Sequence, residues 1–168
     1  INVQVIHIGY LQADEARQLV EAPVDAFALQ YVPDASRRVL DLTRGHPFLV
    51  QLLCAEVVAL KNEQPPAQRR LATVADVDTA VSFALEHGSF FFADIEQNQV
   101  DDTGRAVLRF LAAQPQPAVA RQALVAYVPS LKTLEETLAA LQHRELIEQV
   151  DDGYRFQVPL VRRWFGRK

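Results

Sequence analysis

In the stretch LTRGHPFLVQLLC, Leu42 to Cys54, a glycine, a histidine and a proline stand in a row between two runs that both read as helix. Glycine can close a helix because, lacking Cβ, it enters the left-handed region at little cost, so Gly45 is expected to end the helix before it. Proline suits the first helical position, where its missing amide is no loss, so Pro47 is expected to open the helix after it. Neither rule explains His46. The familiar catalytic constellations are missing elsewhere. The six glycines, at 9, 45, 88, 104, 153 and 166, form no Gly-x-x-x-x-Gly-Lys phosphate loop. His7, His46, His87 and His143 have no Cys or His neighbour at zinc-ligand spacing, and no serine sits in a Gly-x-Ser-x-Gly elbow. Catalysis by this chain alone is not expected.

The elements that must position the turn are mostly helical. With 168 residues, 49% of them apolar, the chain can bury a substantial core as one large domain or two small ones. It has no uncharged apolar run long enough for a membrane span. Its one cysteine, Cys54, lies in an apolar helical pattern and reads as a small buried residue. It has no internal disulfide partner, which fits a reducing cytoplasm. There is no methionine, even at residue 1, and the opening INVQVIHIGYL suggests a piece of something longer. NVQVIHI is β-branched and apolar on both alternating faces, the pattern of a strand inside a covered parallel sheet whose other strands lie elsewhere.

Helical patterns follow. QADEARQLVEA starts near Asp14 with Ala16, Leu19 and Val20 on one face; PDASRRVLDLTRG starts at Asp34 and stacks Val39, Leu40 and Leu42. The run from Pro47 to about Asn62 is apolar nearly all round and reads as the centre of a bundle. NEQPPAQRR is a linker, after which Thr73 and Asp76 form a capping box for a helix to His87, closed by Gly88. The three phenylalanines of SFFFADIE read as core. From residue 101 the texture is that of a winged helix. The helices are TGRAVLRFLAA, VARQALVAYV and PSLKTLEETLAALQHR, the last with Leu131, Leu134, Leu138 and Leu141 as its stripe. A hairpin in ELIEQVDDGYRFQVP turns through Asp152-Gly153, and LVRRWF closes the chain with one helical turn. No other strand is expected before residue 145.

Charge argues against nucleic acid as the main partner. Residues 1–100 carry 7 Lys+Arg against 13 Asp+Glu, net −6, and residues 101–168 carry 10 against 8, net +2. Around the leucine stripe of the third winged-helix helix, the solvent side offers Lys132, Glu135, Glu136, Thr137, Gln142 and His143. Adjacent glutamates repel phosphates where major-groove reading needs Arg, Lys, Asn or Gln. Arg162, Arg163, Arg167 and Lys168 read first as a solvated terminal run.

Taken in order, the opening strand, GYLQADEARQLV, the Gly45-His46-Pro47 turn, the helices and the winged helix resemble the lid and winged-helix region of STAND-type P-loop ATPases, relatives of the AAA+ and NB-ARC proteins. The resemblance spans nearly the whole chain. It implies residues 1–11 as the last strand of a missing nucleotide-binding domain, 12–98 as a helical lid and 99–168 as a winged helix. It further implies ATP or ADP, with Mg in the parent protein, as ligand, Gly45, His46 and Pro47 as the nucleotide-facing turn, and a protein partner read out by nucleotide state. In that family the proline packs on adenine. A proline ring at a helix start is a rigid apolar surface for a base, and the unpaired amides of that turn add positive potential. His46 could stack on or bond to the nucleotide, but its place varies in the family and Pro47 carries more weight. One departure concerns the Met-His-Asp motif of NB-ARC relatives. The comparable stretch here is QVPLVRRW, with Pro159 where a histidine is expected and the Arg162-Arg163 pair as a substitute phosphate sensor. The competing readings are a winged-helix transcription regulator binding DNA and a plain protein-interaction module.

Overall fold

In the computed structural model, which describes residues 9–167, the chain is mainly helical: a helical bundle followed by a winged helix with a β-hairpin. The expected strand at NVQVIHI lies outside the described residues. The chain forms two compact units, Ile1–Ala84 and Leu85–Lys168. The division at 98/99 that the resemblance implies assigns residues 85–98 to the first domain. Within the second unit, however, Phe92 of that segment stacks on Trp164, and Glu96 bonds to Arg109 and Trp164.

In the first unit α1 (Ala13–Glu21), α2 (Pro33–Thr43) and α3 (Pro47–Glu63) pack on one another pairwise. The Glu15 carboxylate accepts the Gln12 amide at the start of α1. This side chain satisfies one of the donors that a helix start leaves over. α3 is apolar nearly all round in sequence but buries a single stripe, Leu49, Val50, Leu53, Val57 and Lys61, and Leu52, Val58 and Leu60 are only half-buried. It is one wall of a three-helix cluster, not a helix surrounded on all sides. Two strands of two residues each, β1 (Gln30–Tyr31) and β2 (Leu71–Ala72), form a parallel pair where no strand is expected.

α4 (Val74–His87) opens on the expected capping box: Thr73 Oγ1 accepts the Asp76 amide at 3.3 Å, and Asp76 accepts the Thr73 amide at 2.8 Å. The same carboxylate takes hydrogen bonds from Gln64 and from Lys61, which is 4% exposed. Burial works against the Asp76 charge, but the bonds from Thr73, Gln64 and Lys61 outweigh it and hold the carboxyl down at about 2. A carboxyl lowered in the folded state stabilises above its unfolded value, about 3.9, and that contribution disappears as pH falls from about 4 to about 2. We expect a loss of about 1–2 kcal/mol over this window after allowance for solvent screening, measured by urea unfolding at each pH. Asp76→Asn should remove this part of the slope; an unchanged slope would show that Asp76 is not its source.

In the second unit, α5 (Ser89–Asp94) runs into a π-helical turn, Ile95–Gln99. Gly88 does not close α4 in a left-handed conformation but caps α5 at φ −83°. The three phenylalanines do not share a fate: Phe92 is fully buried, Phe91 is half-buried and Phe90 is 92% exposed. On a helix three successive side chains point about 100° apart, so a single core face cannot take all of them.

The winged helix runs α6 (Asp102–Ala113), β3 (Val119–Ala120), α7 (Arg121–Leu124) with a 3-10 turn Val125–Tyr127, α8 (Leu131–His143), β4 (Ile147–Val150), β5 (Gly153–Phe156) and α9 (Pro159–Phe165). The sheet order is β3-β5-β4, all antiparallel. Leu134, Leu138 and Leu141 of α8 are buried, but Leu131 is exposed and Thr137 is buried, so the helix is rotated slightly from the expected stripe. α9 has seven residues, more than the one turn expected. The hairpin turns through Asp151-Asp152, with Asp151 at φ 52°, and Gly153 is the first residue of β5. Glycine is required there by close approach: a Cβ would stand 2.8 Å from the Val119 carbonyl oxygen of β3.

Candidate functional site

The Gly45-His46-Pro47 turn is built by two consecutive left-handed residues. Arg44, at φ 53°, caps α2 and donates its amide to Leu40 O; Gly45 follows at φ 76°. The His46 amide then returns to Thr43 O at 3.0 Å. The expected left-handed glycine is present, but the helix closure begins one residue earlier.

Gly45 also serves a purpose that its sequence context does not reveal. Its carbonyl accepts the Leu11 amide at 2.9 Å, and a Cβ on it would lie 2.9 Å from Leu11 O and 3.7 Å from the Ala16 Cβ. The turn therefore clasps the segment that leads into α1. His46 is the N-cap of α3 at φ −64°, ψ 116°; its side chain caps no amide, and its ring meets Tyr10 edge-on at 5.5 Å. Pro47 stands at the first position of α3, half-buried, beside the more exposed Phe48. The result is a rigid apolar ledge of Pro47, His46 and Tyr10 at the positive end of a 17-residue helix. Such a ledge can receive the flat face of a base, with the polar part of a ligand held elsewhere. Tyr10 was not singled out by sequence, because its role depends on the clasp at Leu11 and not on any local pattern.

The winged helix presents a different face. Glu135 is ion-paired with Arg121, and Glu136 with Lys132 at 3.8 Å, so the carboxylates occupy the cations that phosphates would need. The hairpin tip carries the exposed Asp151 and Asp152. Arg162 donates to the carbonyls of Gln114 and Gln116 and so fastens the loop after α6; Arg163 is exposed, and Pro159 opens α9. The guanidinium of Arg162, weighed in sequence as a phosphate sensor, is therefore used within the winged helix itself. No group of three or more metal-binding side chains occurs among the described residues, and no described helix is long and apolar enough to cross a membrane. A scan against protein-family models and a search of curated proteins return no match to this chain.

Proposed function

We propose that this chain is the C-terminal regulatory lid and winged-helix part of an ATP-binding ATPase of the STAND type, related to the AAA+ and NB-ARC proteins, acting in the cytoplasm. The observation that carries this reading is the fixed ledge at Gly45-His46-Pro47, held by two left-handed residues and the Leu11 clasp. Pro47 lies against the adenine of ATP or ADP, whose phosphates and Mg are held by a P-loop domain of the same protein. His46 flanks the base. Because the ledge joins α2 to α3, nucleotide occupancy biases how the lid packs on that domain, and a protein partner reads the outcome. The chain has no phosphate loop and supplies no catalytic group, so turnover belongs to the P-loop domain. The alternative, a DNA-binding regulator, takes support from the winged-helix topology alone, against the paired cations of α8 and the acidic wing tip.

The test is nucleotide titration of the full-length protein. Pro47→Ala is expected to cost about 1–2 kcal/mol of ADP or ATP affinity, where each 1.4 kcal/mol is tenfold, because only the apolar ring is lost and alanine is a strong helix former. Thermal unfolding of both proteins without ligand controls for folding. Unchanged affinity in a folded variant would reduce the turn to a connection between helices.

A further inference from the structure

Ser36, the fourth residue of α2, is 3% exposed, and its hydroxyl has no hydrogen-bond partner among the described residues. A helical Ser or Thr commonly bonds to a carbonyl one turn back, as Thr43 does to Val39 on the same helix. Ser36 does not, and a buried hydroxyl without a partner destabilises the fold by its lost hydration. The Tyr31 hydroxyl is similarly placed, buried with only the Cys54 thiol, a weak partner, beside it. Burial raises the Tyr31 phenol far above its ordinary range and lifts the Cys54 thiol to about 11, so both keep their protons at neutral pH.

Both hydroxyl residues line one cleft of about 310 Å³, between Arg17 and Glu21 of α1, Tyr31 of β1 and α2 from Pro33 to Leu40. On the α1 side stands Arg17, exposed and in no ion pair among the described residues. Arg37 reaches only Asp34, in a solvent-exposed pair of the kind that contributes little and exchanges readily. No side chain of Val32 caps α2, which opens at Pro33 in the lining of this cleft. Glu21 is the one carboxylate in the lining; it limits how much negative charge the cleft accepts and offers an acceptor to a ligand hydroxyl. Pro33 and Leu40 supply apolar wall.

We propose that this cleft binds a small phosphate monoester, its phosphate held by Arg17, Arg37 and the Ser36 hydroxyl and its organic body against Tyr31, Pro33 and Leu40. The volume stands at the lower end of the range for small-molecule sites, about 300–1,000 Å³, and suits a compact ligand. Ser36 and Gly45 are roughly 13 Å apart along α2 at 1.5 Å per residue, so the site is separate from the ledge and does not depend on the nucleotide reading.

The chain is titrated with inorganic phosphate and with phenyl phosphate while backbone amide resonances are followed by NMR. Saturable shifts confined to residues 17, 31 and 34–37 are expected, with phenyl phosphate at least fivefold tighter than phosphate. Arg17→Gln should weaken both at least tenfold. Ser36→Ala is the decisive variant, because relieving the unpaired hydroxyl should raise the ligand-free melting temperature by about 2–8 °C while weakening phenyl phosphate at least fivefold. A Ser36→Ala protein that binds as before, or shifts scattered over the arginines at large, overturns the site. Vesicles containing phosphatidic acid that displace phenyl phosphate from these residues would overturn the assignment to a small soluble ligand.

Discussion

Gly45→Ala is expected to destabilise the protein by about 3 kcal/mol or more in urea unfolding, an unusually large effect for adding one methyl group. Two costs add. At φ 76° an L side chain pays about 1–2 kcal/mol for the left-handed backbone. The new Cβ would also stand 2.9 Å from Leu11 O, a backbone atom. Leu11 can retreat only by lengthening the hydrogen bond from its own amide to Gly45 O, which contributes about 1 kcal/mol. Relief of one strain therefore creates the other. A loss below about 1 kcal/mol would mean that the clasp yields freely and that the ledge beside it is not rigid.

Phe92→Ala should cost about 3–5 kcal/mol, the range for deleting a buried aromatic ring. Phe92 is fully buried and stacks on Trp164 with ring centroids 5.3 Å apart and planes 16° from parallel. Trp164 is the only tryptophan, and its indole N–H donates to Glu96 at 3.0 Å, so the variant should also shift the fluorescence maximum towards that of a wetter indole. Phe90→Ala, two residues away, should change stability by less than about 0.5 kcal/mol, because that ring is exposed. Equal effects at the two positions would contradict the burial pattern of α5.

This contrast also shows what the sequence could and could not convey. Helix starts were legible where they rest on local chemistry: the Thr73/Asp76 box and Pro47 at the head of α3. The winged-helix order was legible for the same reason, since three helical periods and a hairpin signal each lie within a short window. Features that depend on distant neighbours were not. Gly153 is spaced like a turn glycine yet lies in a strand, because its reason is a carbonyl of β3 more than thirty residues earlier. The burial of Phe92 and the exposure of Phe90 depend on where Trp164 stands. Within the candidate site the three turn residues could be read from glycine and proline rules, whereas the Leu11 clasp and the Tyr10 ring come from outside the motif. The cleft at Ser36 left no trace, because nothing local distinguishes a buried serine that lacks a partner from a surface one.

The two-residue pairing of β1 with β2 bears on the order of assembly. Gln30 is matched to Leu71 and Tyr31 to Ala72, so the pair closes a loop of about forty residues containing α2 and α3. Closing a chain of that length costs about 3 kcal/mol of entropy, more than the net return of two backbone hydrogen bonds, Gln30 N to Arg70 O and Val32 N to Ala72 O. The pair cannot nucleate the first unit. Instead α2 and α3 must dock first and bring the ends together, which makes the bridge a late step in folding and the earliest to open when the helices loosen. Its amides should therefore exchange with solvent deuterium well before those of Val50 and Leu53.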